Sequence, residues 1–276
     1  MVYSASLVVA STKSELPYHL NSAIMKVCQE ALVQRGTFTI ALSGGSLPSF
    51  LSSVKDVFEA AGNDPKFESW HIILADERCV PKSHPDSNMG ALENDFLNQV
   101  SVPSDQVHAI NTRKLEESTD AVASDYQEQI EEVLSISGGQ LDLAVLGFGP
   151  DGHTCSLFPN HVLLTEQNKM VAAIEDSPKP PPHRITLTLP VLNKHTRHVI
   201  FCGAGRSKSA VVRDVFSDIS PADASYSVQH GNLYKVTLSS PAPYPCAMVR
   251  PDSEQTENSL MWIVDADAME SATEQK

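Results

Sequence analysis

The sequence of 276 residues has no hydrophobic run long enough to cross a bilayer. A membrane-spanning helix needs about 20 consecutive apolar residues. The N-terminal residues 1–16 also lack the basic flank and the long apolar stretch of a signal peptide. We therefore expect a cytoplasmic protein that has no membrane among its partners.

Cysteine pairs are lacking as well. The five cysteines are odd in number and widely spaced, and none belongs to a C-x-x-C pair: Cys28, Cys79, Cys155, Cys202 and Cys246. This pattern argues against a disulfide framework and against a zinc site. The histidines and carboxylates also lack the spacing typical of metal ligands, so we expect no bound metal.

Positive charge is scarce, because 20 Lys and Arg residues stand against 34 Asp and Glu residues. The formal net charge is -14 and the isoelectric point is near 5.0. Nucleic acids and anionic membrane surfaces attract proteins through a cationic field, so both are excluded as partners. A small anionic ligand stays possible where a local cluster of cations overcomes the negative surroundings.

The hydrophobic residues, 41% of the chain, suffice for a sizeable core. Segments typical of strands and of helices alternate, which predicts an α/β fold with three αβα layers and a mostly parallel, Rossmann-like sheet. The proline run at 177–183 is interpreted as a loop, so residues 1–276 form a single predicted domain. The predicted strands are 37–42, 70–75, 141–146, 184–189, 197–202 and 260–264. The predicted helices are 18–34, 48–60, 88–98, 119–134, 207–216 and a short one from 266.

The most informative segment is LDLAVLGFGPDGHTCSLFP at 141–159, where an apolar strand leads into a glycine-rich turn that ends at His153. Its glycines match G-x-G-x-x-G, the dinucleotide-binding fingerprint. That fingerprint requires a long helix directly after the glycines, but Pro159 follows too soon, and Pro150 has no N–H to offer a phosphate. We interpret the segment as a tight turn that presents a reactive histidine, with Asp151 placed to orient its ring.

Three other predicted strands also end in unusual loops. These are SGGS at 43–46, DER at 76–78 and GAGRSK at 203–208. Because ligands of open α/β sheets bind outside the carboxyl ends of the strands, we expect these loops and the His153 turn to converge on one site.

Two of the loops have the chemistry of an anion site. In the first, Gly44 and Gly45 let the backbone approach a ligand, and Ser43 and Ser46 offer hydroxyl groups. In the second, Lys208 begins a predicted helix, where a cation is unfavourable unless an anion lies beside it. Either loop alone is equally compatible with an ordinary strand-to-helix turn. Together they favour a phosphate site.

Three charged residues complete the candidate site. Arg78 offers a planar fork for a phosphate, and Asp76 offers a carboxylate that can position a sugar hydroxyl. The alternative for this triplet is a solvated run of charges. Arg184 opens a strand after the proline run, and its position alone indicates an exposed arginine at the edge of a strand.

The motifs together resemble the family of glucosamine-6-phosphate isomerases and 6-phosphogluconolactonases, and especially eukaryotic 6-phosphogluconolactonases. The blocks stand in family order over most of the chain: SGGS at 43–46, DER at 76–78, HPDSN at 84–88, GFGPDGHTCSLFP at 147–159 and SPKPPPHRITLTLPVLN at 177–193. The resemblance implies the fold of sugar-phosphate deaminases and isomerases. It also implies hydrolysis of 6-phospho-D-glucono-1,5-lactone to 6-phosphogluconate without a cofactor, by a protein that we expect to be a monomer.

The resemblance further implies roles for individual residues. His153 would activate water, with Asp151 as its neighbour in the motif. The residues expected around the sugar phosphate are Ser43, Gly44, Gly45, Arg78, Arg184 and Lys208. One alternative is a glucosamine-6-phosphate deaminase-like isomerase, but Arg78 and the segment 154–158, TCSLF, favour the lactonase. The other is a paralogue that binds sugar phosphates without catalysis.

Overall fold

The computed structural model of the protein describes residues 3–222, 231–252 and 259–273. The strands in these ranges are β1 Ser4–Ala10, β2 Phe38–Leu42, β3 Trp70–Leu74, β4 Asp76–Arg78, β5 Val107–His108, β6 Leu141–Leu146, β7 Val171–Ile174, β8 Arg184–Leu187, β9 Thr196–Gly203, β10 Phe216–Pro221, β11 Gly231–Leu238 and β12 Leu260–Asp265. The helices are α1 Leu16–Arg35, α2 Leu47–Phe50, α3 Val54–Ala60, α4 Asn88–Asp95, α5 Thr119–Ile136, α6 Leu189–Lys194, α7 Ser209–Val215, α8 Pro245–Met248 and α9 Ala266–Thr273.

Nine strands form one large sheet in the order β10-β11-β1-β12-β9-β6-β2-β3-β5. Neighbouring strands are parallel from β1 to β5, and only β10 and β11 add antiparallel pairings at one edge. Strands β2 and β6 are buried along their whole length, as expected where helices cover a parallel sheet. The predicted α/β fold with a mostly parallel sheet is confirmed.

Helix α1 shows how the local sequence sets these elements. Its buried residues recur at helical spacing and include Leu16, Leu20 and Ile24. The helix ends at Gly36, whose φ of 74° is a left-handed conformation that favours glycine, and whose N–H donates to the Leu32 carbonyl at 3.0 Å. The predicted helix at 18–34 is therefore confirmed.

A buried carboxylate fastens the end of α1 to the amino-terminal edge of the sheet. Asp142, at the start of β6, is fully buried and accepts from Arg35 at 2.6 Å and from Arg197 at 3.2 Å. It also accepts from the N–H of Thr39 in β2 at 2.9 Å. These contacts join one helix and three strands at the edge of the sheet opposite to the predicted loops.

A second, antiparallel sheet has the order β4-β8-β7. Within it Arg78 lies opposite Arg184, and Asp76 lies opposite Thr186. The predicted strand at 184–189 is present as β8, but it belongs to this small sheet and not to the parallel one. The N–H of Leu187 donates to the carbonyl of Ala75 at 2.8 Å, which attaches the small sheet to the end of β3.

Three predicted helices differ from the structure. The helix expected at 88–98 ends at Asp95, and a separate 3-10 turn follows at Leu97–Gln99. The helix expected at 48–60 is interrupted by a 3-10 turn at Leu51–Ser53, which separates α2 from α3. The helix expected at 207–216 is preceded by a 3-10 turn at Arg206–Lys208, and Phe216 already belongs to β10. Segments rich in serine or glycine form turns easily, and such segments stand inside or at the start of the latter two predicted helices. The spacing of apolar residues does not detect these turns, so it placed the helix boundaries wrongly. Across the described ranges no helix is long and apolar enough to span a membrane.

Candidate active site

The four loops predicted to converge line one cavity of about 230 Å³. They meet because β9, β6, β2 and β3 are parallel neighbours, so their carboxyl ends lie side by side. Nine of the predicted site residues line this cavity: Ser43, Gly44, Gly45, Ser46, Asp76, Arg78, His153, Arg184 and Lys208. The tenth, Asp151, does not line the cavity, but its carboxylate contacts Nδ1 of His153.

The turn after β6 fixes the position of His153. Its backbone is closed by hydrogen bonds from the N–H of Gly149 to the His153 carbonyl at 2.9 Å and from the N–H of Gly152 to the Gly149 carbonyl at 3.0 Å. A Cβ atom at residue 149 would lie 2.1 Å from Nδ1 of His153. The imidazole thus packs directly on the glycine backbone, and it also stacks on Phe158 with ring centroids 5.1 Å apart.

Asp151 and His153 form a close pair. Oδ1 of Asp151 lies 2.5 Å from Nδ1 of His153, and the histidine side chain is 21% exposed. Burial lowers the pKa of His153, and this effect outweighs the opposite influence of Asp151. Burial also opposes ionisation of Asp151, but His153 and Lys179 outweigh it and lower the pKa of Asp151 to about 2. At neutral pH the pair is an ionised carboxylate beside a neutral imidazole.

Lys208 and the SGGS loop face the same cavity from two sides. Lys208 donates to the carbonyl of Phe148 and lies 4.8 Å from the centroid of that ring. Burial and the nearby charge of Lys179 lower the pKa of Lys208. The N–H of Ser43 donates a hydrogen bond to the Val145 carbonyl at 3.0 Å. Its buried hydroxyl has no hydrogen-bond partner in the described part of the chain beyond the Cys155 thiol, which is a weak one.

The small sheet supplies the remaining charged residues. Asp76 is buried, and its carboxylate accepts from the hydroxyl of Ser156 at 2.8 Å. Arg78 donates from Nη1 to the carbonyl of Asp86 at 2.7 Å. Arg184 was expected from its position alone to be an exposed edge residue, but it is only 4% exposed. The reason is the pairing of β8 with β4, which turns its side chain inward.

Three residues of the site were not predicted from the sequence. Asn88 lines the cavity and donates to the carbonyl of Asp76 at 2.8 Å, and Ser156 holds the Asp76 carboxylate. Lys179 lies 3.1 Å from Oδ2 of Asp151 and 2.9 Å from Nδ1 of His153. These residues belong to the motif segments HPDSN, TCSLF and SPKPPPH. Membership in those segments was the sequence signal that could have marked them as site residues. In the described ranges no cluster of three or more His, Cys, Asp or Glu side chains is arranged for a metal ion.

Comparison with known proteins defines the class to which this fold and site belong. A family model described as glucosamine-6-phosphate isomerases/6-phosphogluconolactonase matches residues 11–262. The chain belongs to this family.

The individual relatives narrow the class. The chain is 38% identical over 234 residues to the 6-phosphogluconolactonase of Homo sapiens, an alignment that covers 84% of this chain and 79% of the human protein. It is 35% identical over 261 residues to that of Bos taurus, covering 93% and 90%. The structure of 6-phosphogluconolactonase from Leishmania guyanensis matches with a TM-score of 0.71 and 26% identity over 98% of both chains. A monomeric glucosamine-6-phosphate deaminase shares the fold at 13% identity and a TM-score of 0.68, covering 96% of this chain and 99% of the deaminase.

Proposed function

We propose that the protein hydrolyses 6-phospho-D-glucono-1,5-lactone to 6-phosphogluconate, the second step of the oxidative pentose phosphate pathway, with His153 as the base that activates water. The observation that carries this proposal is the imidazole of His153, held by the Asp151 carboxylate at 2.5 Å, in a cavity that three cationic side chains also line. The relatives named above support the same reaction.

The cavity suits a monosaccharide phosphate. At about 230 Å³ it is smaller than the roughly 300–1,000 Å³ typical of pockets for drug-sized ligands, and a dinucleotide would be too large for it. Lys208 and Arg184 provide charge-assisted hydrogen bonds for the phosphate, each worth about 1.5–3 kcal/mol. No described residue accepts from the N–H groups of residues 44–46, so these stay open to the ligand.

The chemistry follows from the state of His153. The neutral imidazole removes a proton from a water molecule as the water oxygen attacks the lactone carbonyl carbon, a contribution of roughly 10²–10⁴-fold to the rate. The ring C–O bond then breaks, and the imidazolium returns the proton to the leaving ring oxygen. The product is one open chain with a new hydroxyl and a carboxylic acid, and the acid releases its remaining proton to solvent at neutral pH to give the carboxylate.

A donor is needed for the oxyanion that forms during the attack. The N–H groups of Gly149 and Gly152 already donate within the turn, so they are poor candidates. Arg78 lines the same cavity, and only one atom of its guanidinium, Nη1, has a hydrogen-bond partner among the described residues, the carbonyl of Asp86. We therefore assign the oxyanion to Arg78 in preference to the glycine turn.

A coupled assay with freshly generated lactone tests the proposal, with the spontaneous opening of the lactone subtracted. Enzymatic turnover is expected, and His153→Ala is expected to lose most of kcat while it keeps its affinity for the substrate. Absence of turnover in the pure protein would favour a non-catalytic paralogue. Release of ammonia from glucosamine 6-phosphate would favour a deaminase. We also propose a cytoplasmic monomer, which light scattering and fractionation would test.

A further inference from the structure

A lysine in the proline run touches the catalytic pair. The ammonium group of Lys179 lies within hydrogen-bond distance of both Asp151 and His153, and its side chain is 39% exposed. We propose that Lys179 is a positioning residue of this site, whose ammonium holds the Asp151 carboxylate on Nδ1 of His153 and leaves Nε2 free as the base. The proposal rests on the proposed role of His153.

The proton positions follow from the three contacts. Nδ1 of His153 cannot donate to Asp151 and accept from Lys179 at the same time, because one ring nitrogen carries either a proton or a lone pair. The 2.5 Å contact with the ionised carboxylate assigns the proton to Nδ1. The remaining partner for the ammonium is then Oδ2 of Asp151 at 3.1 Å. In this arrangement Nε2 carries the lone pair that a general base requires.

The backbone of Lys179 is fixed from two sides. The hydroxyl of Ser177 donates to the Lys179 carbonyl at 2.8 Å and accepts from the Lys179 N–H at 3.2 Å. Arg184 donates from Nη2 to the carbonyls of Lys179 and Pro180, at 2.9 and 3.0 Å, and from Nε to that of Pro181 at 2.9 Å. Two nitrogens of a buried arginine therefore bind the segment that carries Lys179. These contacts hold the segment beside His153, whereas a lysine in a solvated loop would have no such fixed backbone.

The charge of Lys179 changes what the carboxylate does to the imidazole. An unpaired Asp151 would favour the imidazolium, which cannot act as a base. The ammonium offsets that charge and opposes protonation of the ring. The other charged groups that face His153 are Asp151 on its own turn and Asp76 on β4, and Lys208 lies close to Lys179 and Asp151.

The test is the dependence of kcat/KM on pH in Lys179→Met, Lys179→Gln and Lys179→Arg. In both neutral variants the acidic limb of the pH profile, where kcat/KM falls as His153 is protonated, is expected to move to higher pH by about one unit. A nearby charge shifts a pKa by about one to three units, and the lower end applies because the lysine is partly exposed. Lys179→Arg keeps the charge and is expected to keep the parental limb. Lys169→Met is the matched control, since Lys169 is an exposed lysine 3.7 Å from Asp120 and does not line the cavity.

A double variant sharpens the test. In the background of Asp151→Asn, the further change Lys179→Met should move the limb by less than it does in the parental protein, because without the carboxylate nothing holds the ammonium beside the ring. Nitrogen NMR of the imidazole should show the proton on Nδ1 in the parental protein and a raised pKa in Lys179→Met, whatever the activity. An unmoved limb, or an equal loss at every pH, would overturn the positioning role while lactone turnover stands. Full turnover by His153→Ala would instead overturn the proposed role of His153.

Discussion

A methyl group added at Gly149 should displace His153, the proposed base, without touching any of the cations that we propose to face the phosphate. The Cβ of Gly149→Ala would lie 2.1 Å from Nδ1 of His153 and 2.4 Å from Oδ1 of Asp151. Ordinary contacts begin at 3.4 Å, so the ring has to move by about 1.3 Å, and a misplacement of about 1 Å can cost on the order of 100-fold in rate. We expect kcat to fall about 100-fold, which corresponds to about 2.7 kcal/mol of transition-state stabilisation.

The same loop contains a matched control. A Cβ atom at Gly147 would meet only Cδ1 of Leu47, at 3.9 Å, so Gly147→Ala should keep kcat within about threefold of the parental value. The assay is steady-state lactone hydrolysis corrected for spontaneous opening, with KM and the thermal midpoint measured on both variants. KM of Gly149→Ala should change little, because the phosphate contacts lie on other loops. A folded Gly149→Ala protein with a near-parental kcat would refute the reasoning.

Three further outcomes are expected. The pKa of His153 is lowered by burial, so kcat/KM should stay constant above pH 6.5 and fall by about tenfold per unit below that lowered pKa; a flat profile down to acid denaturation contradicts this. Lys208→Ala should raise KM about tenfold or more with kcat less affected, as measured by initial rates. Asp142→Asn should lower the free energy of unfolding in urea by about 3 kcal/mol and leave kcat unchanged, because Arg35 and Arg197 lose their buried partner.

The parts of the fold that could be predicted are those with a strong local signal. The buried strands β2, β3, β6 and β9 are short apolar runs followed by glycine or polar turns, and their parallel order places the loops at one edge. Strand β1 is equally apolar, but it was considered only as a candidate signal peptide. Strand β11 is half exposed at the edge of the sheet, so its pattern is weak.

The small sheet could not be predicted because its strands have only three or four residues and pair across long stretches of sequence. Strand β4 pairs with β8 about 100 residues later, and no pattern within either segment specifies that partner. Arg184 was therefore interpreted as an edge residue until the resemblance was considered. The contact of Lys179 with His153 was missed for the same reason, since it depends on the register of β8 and not on any spacing along the chain.

The distribution of charge explains how an acidic protein can select an anionic substrate. Of the 20 Lys and Arg residues, four surround one cavity: Arg78, Lys179, Arg184 and Lys208. The net charge of -14 repels anions at long range, but that field is screened by salt within about 10 Å. Interactions with half-buried cations are screened much less. Attraction therefore acts on a ligand that has entered the cavity. There the phosphate contacts that we propose would leave the uncharged lactone ring beside His153.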